Sequence, residues 1–132
     1  MPNPAAAVNR ILYVEDDVSI RTVAKMALEM VGGFTVIACE SGAEALAAAP
    51  TAQADLLLLD VMMPGMDGPS TLKALRALPE TAATPAIFMT AKVQPAEIAA
   101  HKALGALDVI PKPFDPMGLP DRIREIFARP RP

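Results

Sequence analysis

Short apolar runs alternate with helix-period segments along this chain, and most of the runs stop at a polar residue. Ile11-Leu12-Tyr13-Val14 ends in Glu15-Asp16-Asp17, Leu56-Leu57-Leu58-Leu59 in Asp60, Ile87-Phe88-Met89 in Thr90, and Val109-Ile110-Pro111 in Lys112. Runs of this length, nearly all apolar rather than alternating, predict strands buried on both faces, near 10–14, 34–38, 55–60, 86–90 and 107–110. Between and after them, helical patterns fall at about 17–31, 41–49, 68–78, 95–104 and 116–128. The first places Ile20, Val23, Ala27 and Val31 on one face and stops at Gly32-Gly33. Ser41 and Glu44 have the spacing of a capping box. The last repeats Leu119, Ile123, Ile126 and Phe127 as a buried stripe, with Arg122, Arg124 and Glu125 toward water.

Five strand–helix alternations imply parallel pairing and right-handed crossovers. The expected fold is a doubly wound, three-layer α/β sandwich with a five-stranded parallel sheet and five helices. The expected organisation is a flexible segment at 1–8, one domain at 9–128 and a short tail at 129–132, with no attached output domain.

Ligands of such sheets sit beyond the carboxyl ends of the strands. The polar strand ends therefore gather three acids, a fourth carboxylate, a hydroxyl and an ammonium at one edge. Adjacent carboxylates repel, and a hard divalent cation such as Mg²⁺ resolves the conflict. Capping of the first helix needs only Asp16 or Asp17, which leaves Glu15 and Asp60 at the edge without that role. Aspartate can attack phosphorus, while Lys112 and Thr90 suit phosphoryl oxygens.

Composition narrows the alternatives. The 132 residues carry a formal charge of −3, with 4% aromatic residues and no Trp. Neither a basic field nor a stacking platform for nucleic acid is available. Asp60 interrupts the longest apolar stretch well short of a membrane span, and the N-terminus lacks the pattern of a secretory signal, so a cytoplasmic location is expected. Cys39, the single cysteine, reads as a small core residue, and His101 as a surface residue of the fourth helix. An aspartyl phosphatase would need a second acid two positions after Asp60, where Met62 stands. A flavodoxin-like nucleotide binder shares the fold, but Glu15-Asp16-Asp17 would repel its phosphate.

The segments Ile11-Leu12-Tyr13-Val14-Glu15-Asp16-Asp17, Leu59-Asp60-Val61-Met62-Met63-Pro64-Gly65-Met66-Asp67-Gly68, Thr90-Ala91 and Lys112-Pro113-Phe114, in that order, resemble the receiver domains of two-component response regulators, of the chemotaxis-regulator type. The resemblance covers about residues 9–128. It implies that Asp60 is the phosphoacceptor and that Glu15 and Asp16 are the acidic pair at Mg²⁺, with the Met62 carbonyl as a further ligand. Thr90 and Lys112 would contact the phosphoryl group, Ala91 would leave room for the donor, and the Lys112–Pro113 bond would be cis. A histidine kinase or histidine phosphotransfer protein would be the donor. An effector protein would read the fourth helix, fifth strand and fifth helix. One departure is Val109, where the family often carries a Tyr or Phe that turns inward on activation.

Overall fold

A computed structural model describes residues 8–130. Five parallel strands, β1 (Arg10–Val14), β2 (Thr35–Cys39), β3 (Leu56–Asp60), β4 (Ala86–Thr90) and β5 (Asp108–Pro111), form one sheet in the order β2-β1-β3-β4-β5. The expected α/β sandwich is therefore present. Each strand lies within one residue of its predicted position. Most of the segment at 1–8 and the end of the tail lie outside the described residues. Val8, just before β1, is buried.

Alternation of side chains along each strand divides the core in two. Ile11, Tyr13, Leu56, Leu58, Ile87 and Met89 face one way, against α1 (Val18–Met26) and α5 (Leu119–Ala128). Leu12, Val14, Leu57, Leu59, Phe88 and Val109 face the other, against α2 (Gly42–Ala52), α3 (Gly68–Arg76) and α4 (Pro95–Ala103). The four leucines of β3 are fully buried because the strand is central in the sheet and covered on both faces. Truncating any of them to Ala would cost about 2–5 kcal/mol.

Helices α1, α2 and α3 start at side-chain caps. The Ser41 hydroxyl accepts from the Glu44 amide at 3.1 Å, and Asp67 Oδ1 accepts from the Ser70 amide at 2.8 Å. The stripe Leu119, Ile123, Ile126 and Phe127 of α5 is buried as its spacing predicts. Cys39 is buried too, and burial pushes its thiol up to about 11.

The first helix departs from its predicted face. Ala27 is buried as predicted, but Val23 and Val31 are 45% and 49% exposed, and Ala24 and Leu28 pack inward in their place. Half-buried Ile20 with Ala24, Ala27 and Leu28 repeats at i, i+4, i+7 and i+8, a helical stripe one position round from the predicted one that buries the Leu28 side chain completely. After Met26 the helix continues as a π-helical segment, Ala27–Val31. Helix α2 also runs three residues past its predicted end, through Pro50, to a left-handed Gln53 at φ 53°.

Candidate functional site

Sheet register brings the polar strand ends together. Val14 pairs with Leu59, Asp60 with Met89, and Thr90 with Pro111, so Glu15, Asp60, Thr90 and Lys112 all reach the carboxyl edge. Lys112 Nζ donates to Glu15 Oε1 at 2.8 Å and to Asp60 Oδ1 at 3.1 Å, although Glu15 is 97 residues away in the chain. Carboxylate oxygens of Glu15, Asp16 and Asp60 lie within 4.8 Å of one another.

The three consecutive acids divide their work. Asp17 Oδ1 accepts from the Ile20 amide at 3.0 Å and caps α1. Asp16 is exposed, whereas Glu15 and Asp60 are 1% and 2% exposed. Arg21 Nη1 donates to the Glu15 carbonyl at 2.9 Å and holds the β1–α1 loop against the helix.

Two nearly dry carboxylates share one ammonium, so the edge is left electronegative. Burial, then proximity to Asp60, pushes the Glu15 carboxyl up to about 7 against the opposing hydrogen bond from Lys112. Burial alone would lower the Lys112 ammonium, but its bonds to Glu15 and Asp60 outweigh that and raise it. Excess buried negative charge on hard oxygen donors, one exposed carboxylate among them, fits a divalent cation that keeps part of its water. Thr90 is buried, and its hydroxyl accepts from the Lys92 amide at 3.1 Å. The Lys112 amide donates to the Thr90 carbonyl at 2.9 Å, and the Lys112–Pro113 bond is cis, as the resemblance implied.

The loop after Asp60 packs less uniformly than its methionines suggest. Met63 is buried and Met66 lies against Gly42, but Met62 is 62% exposed beside the site. At Gly68 an added Cβ would stand 2.5 Å from the Asp60 carbonyl oxygen and 2.8 Å from Val61 Cα. Its amide also donates to the Val61 carbonyl at 2.9 Å, which closes the loop under the carboxylate. Sequence reasoning passed over this glycine, although its place directly after the capping Asp67 was a usable signal.

Tyr13 was passed over, and His101 was read as a surface residue. Tyr13 is fully buried, and its hydroxyl has no hydrogen-bond partner among the described residues. Burial and the nearby charges of Glu15 and Asp60 hold its phenol above its ordinary range. His101 is half-buried rather than a plain surface residue, with its ring centroid 4.9 Å from that of Phe88. An open apolar groove of about 500 Å³ lies beside Lys112, between Ile20 and Val23 on one side and Pro113 and Phe114 on the other.

The chain matches the family model described as the response regulator receiver domain over residues 11–124. Among curated relatives, transcriptional regulatory protein CpxR of Escherichia coli K12 is 45% identical over 92% of this chain and 50% of its own length. ResD of Bacillus subtilis is 38% identical over 91% of this chain and 48% of its own. The chain thus spans about half the length of the curated relatives it matches. Among solved structures, the chemotaxis protein CheY4 of Vibrio cholerae superposes with a TM-score of 0.83 at 33% identity, covering 91% of this chain and 99% of that one. A response regulator from Chloroflexus aurantiacus gives 0.79 at 32% identity, covering 92% and 99%. Sheet order, acidic edge and sequence agree: the chain belongs to the receiver domains of two-component response regulators, a family of signalling domains rather than turnover enzymes.

Proposed function

We propose that this protein is a phosphorylation switch that takes a phosphoryl group onto Asp60 and signals through protein–protein contacts. The observation that supports this best is the pairing of buried Asp60 with Lys112 beside Glu15 and Asp16, at an edge whose charge one ammonium leaves uncompensated. The donor is a histidine kinase or histidine phosphotransfer protein, or a small acyl phosphate. The apolar groove beside Lys112 gives a macromolecular donor a surface next to the carboxylate.

An Asp60 carboxylate oxygen forms the new P–O bond as the P–N bond of a phosphohistidine breaks, and the electron pair leaves with the imidazole nitrogen. Glu15, Asp16, Asp60 and the Met62 carbonyl are the groups that would hold Mg²⁺. When bound, the ion neutralises charge on the transferring oxygens. Lys112, already at Asp60, follows the phosphoryl group with the same ammonium. The Thr90 hydroxyl exchanges its contact with the Lys92 amide for a bond to a phosphoryl oxygen. That exchange draws in the segment leading to α4 and passes the charge change to the α4–β5–α5 surface, where an effector protein binds. With Val109 in place of a large ring, movement of this backbone carries the signal. Among the described residues no helix is long and apolar enough to cross a membrane, and we place the protein in the cytoplasm.

Intact-mass analysis after incubation with acetyl phosphate and Mg²⁺ tests the reading. A single phosphoryl adduct is expected on the wild type, absent from Asp60→Ala and lost on chelation of Mg²⁺. Folded wild type that takes no adduct from acetyl phosphate or from a phosphohistidine protein would overturn it.

A further inference from the structure

Helix α4 is attached differently from its neighbours. Helices α2 and α3 each bury four residues and α5 buries five, whereas none of the nine residues of α4 is fully buried. Only Glu97, Ile98 and His101 of α4 are even half-buried. Ile98 joins the apolar cluster beneath the helix. Three residues on, His101 lies over Phe88 with the ring planes at 52°. The inner contact of α4 is thus one aliphatic side chain and one imidazole.

That imidazole is poorly provided for. Its Nδ1 is buried, and no hydrogen-bond partner reaches it among the described residues. A polar atom in this position keeps its desolvation penalty until it meets a donor or acceptor. The other ties to α4 are light. Lys102 reaches Asp108 at 3.8 Å from a side chain that is 48% exposed, and solvent screens such a pair heavily. Gln94 at the helix start makes no side-chain cap, and residues 91–94 before it are all exposed. Phe88, under the imidazole, lies two residues before Thr90 and pairs with Val109 of β5.

We propose that His101 is a built-in release point for α4. In one position of the helix the imidazole lies dry on Phe88. In the other, α4 lifts from β4 and β5 and Nδ1 reaches water, while α2, α3 and their core stay in place. The penalty on Nδ1 keeps the two positions close in free energy, so a modest pull on residues 91–94 is enough to change their balance. That phosphorylation supplies the pull rests on the reading of Asp60 as phosphoacceptor. The release point itself does not.

Amide hydrogen exchange on the full chain, unphosphorylated and with Mg²⁺ present, tests the device. His101→Phe keeps a ring over Phe88 and removes the orphaned nitrogen. Amides of residues 98–104 are expected to exchange about tenfold more slowly in this variant, with α2 and α3 unchanged. Equal or faster exchange in α4, with α2 and α3 protected as in the wild type, would overturn the proposal. Should the larger ring disturb α3, imidazole ¹⁵N resonances of the wild type decide the matter. The His101 Nδ1 signal is expected to move toward that of a hydrated ring in protein shown by intact mass to be phosphorylated, and an unmoved signal would refute release of α4 by phosphorylation. Failure to phosphorylate would count against Asp60 as acceptor and leave the exchange result on the unphosphorylated protein standing.

Discussion

Replacing Lys112 with Met keeps the aliphatic stem and removes the only ammonium bonded to Glu15 and Asp60 among the described residues. The two carboxylates are 1% and 3% exposed and would face each other uncompensated. Breaking a fully buried pair costs about 3–5 kcal/mol. The Lys112 side chain is 17% exposed, which lowers the expectation here to about 2–3 kcal/mol in metal-free protein at pH 8. The pH dependence carries a sign that identifies the cause. In the wild type the folded Glu15 carboxyl is raised from 4.5 to about 7, so the native state holds a proton that the unfolded state has released. Stability from this group therefore falls as pH rises from 4.5 toward 7 and levels off above it. Without the lowering influence of Lys112 the Glu15 carboxyl holds its proton to higher pH, and the decline continues past 7 by up to about 1.4 kcal/mol per pH unit. Urea unfolding in chelator at pH 6, 7, 8 and 9 measures both curves. Saturating Mg²⁺ should then restore more stability to Lys112→Met than it adds to the wild type, since the ion replaces the missing charge. Parallel pH curves for the two proteins, or a difference below about 0.5 kcal/mol at pH 8, would refute the electrostatic account of the site.

Gly68→Ala drives a Cβ against the Asp60 carbonyl and should destabilise the protein by more than about 2 kcal/mol, read by thermal unfolding, with slower phosphorylation by acetyl phosphate as the loop shifts. Tyr13→Phe deletes a buried hydroxyl without a partner among the described residues, so stability in urea should rise by about 1 kcal/mol or stay level. A marked loss would show that a bound water serves the hydroxyl. Met62→Asn trades an apolar side chain at the mouth of the site for one that can hydrogen-bond a hydrolytic water. The phosphoryl half-life, followed by mass after donor removal, should shorten.

Much of this protein can be read along the chain, because each strand carries its own evidence. Leu56-Leu57-Leu58-Leu59 has to be covered on both faces, and parallel pairing then sets its final Asp60 at the same edge as Glu15, Thr90 and Lys112. Strand positions and the composition of the acidic edge were legible for that reason, and the capping of α2 by Ser41 was legible as a contact three residues long. Other features depend on groups brought together across the fold. Which of three adjacent acids caps α1 is decided by where the helix axis meets the loop, and Asp17 takes that role while Glu15 turns to Lys112. The inward stripe of the first helix is Ile20, Ala24, Ala27 and Leu28, and helical spacing fits it no better than the adjacent set Ile20, Val23, Ala27 and Val31, so packing on the sheet decides between them. Gly68 matters because the loop folds back so that the Asp60–Val61 backbone occupies the space a Cβ would need. His101 matters because α4 has so little else to rest on. Periodicity registers what a residue must avoid, namely water or burial. Only tertiary packing decides which neighbour it meets, since those distances are set jointly by elements far apart in the chain.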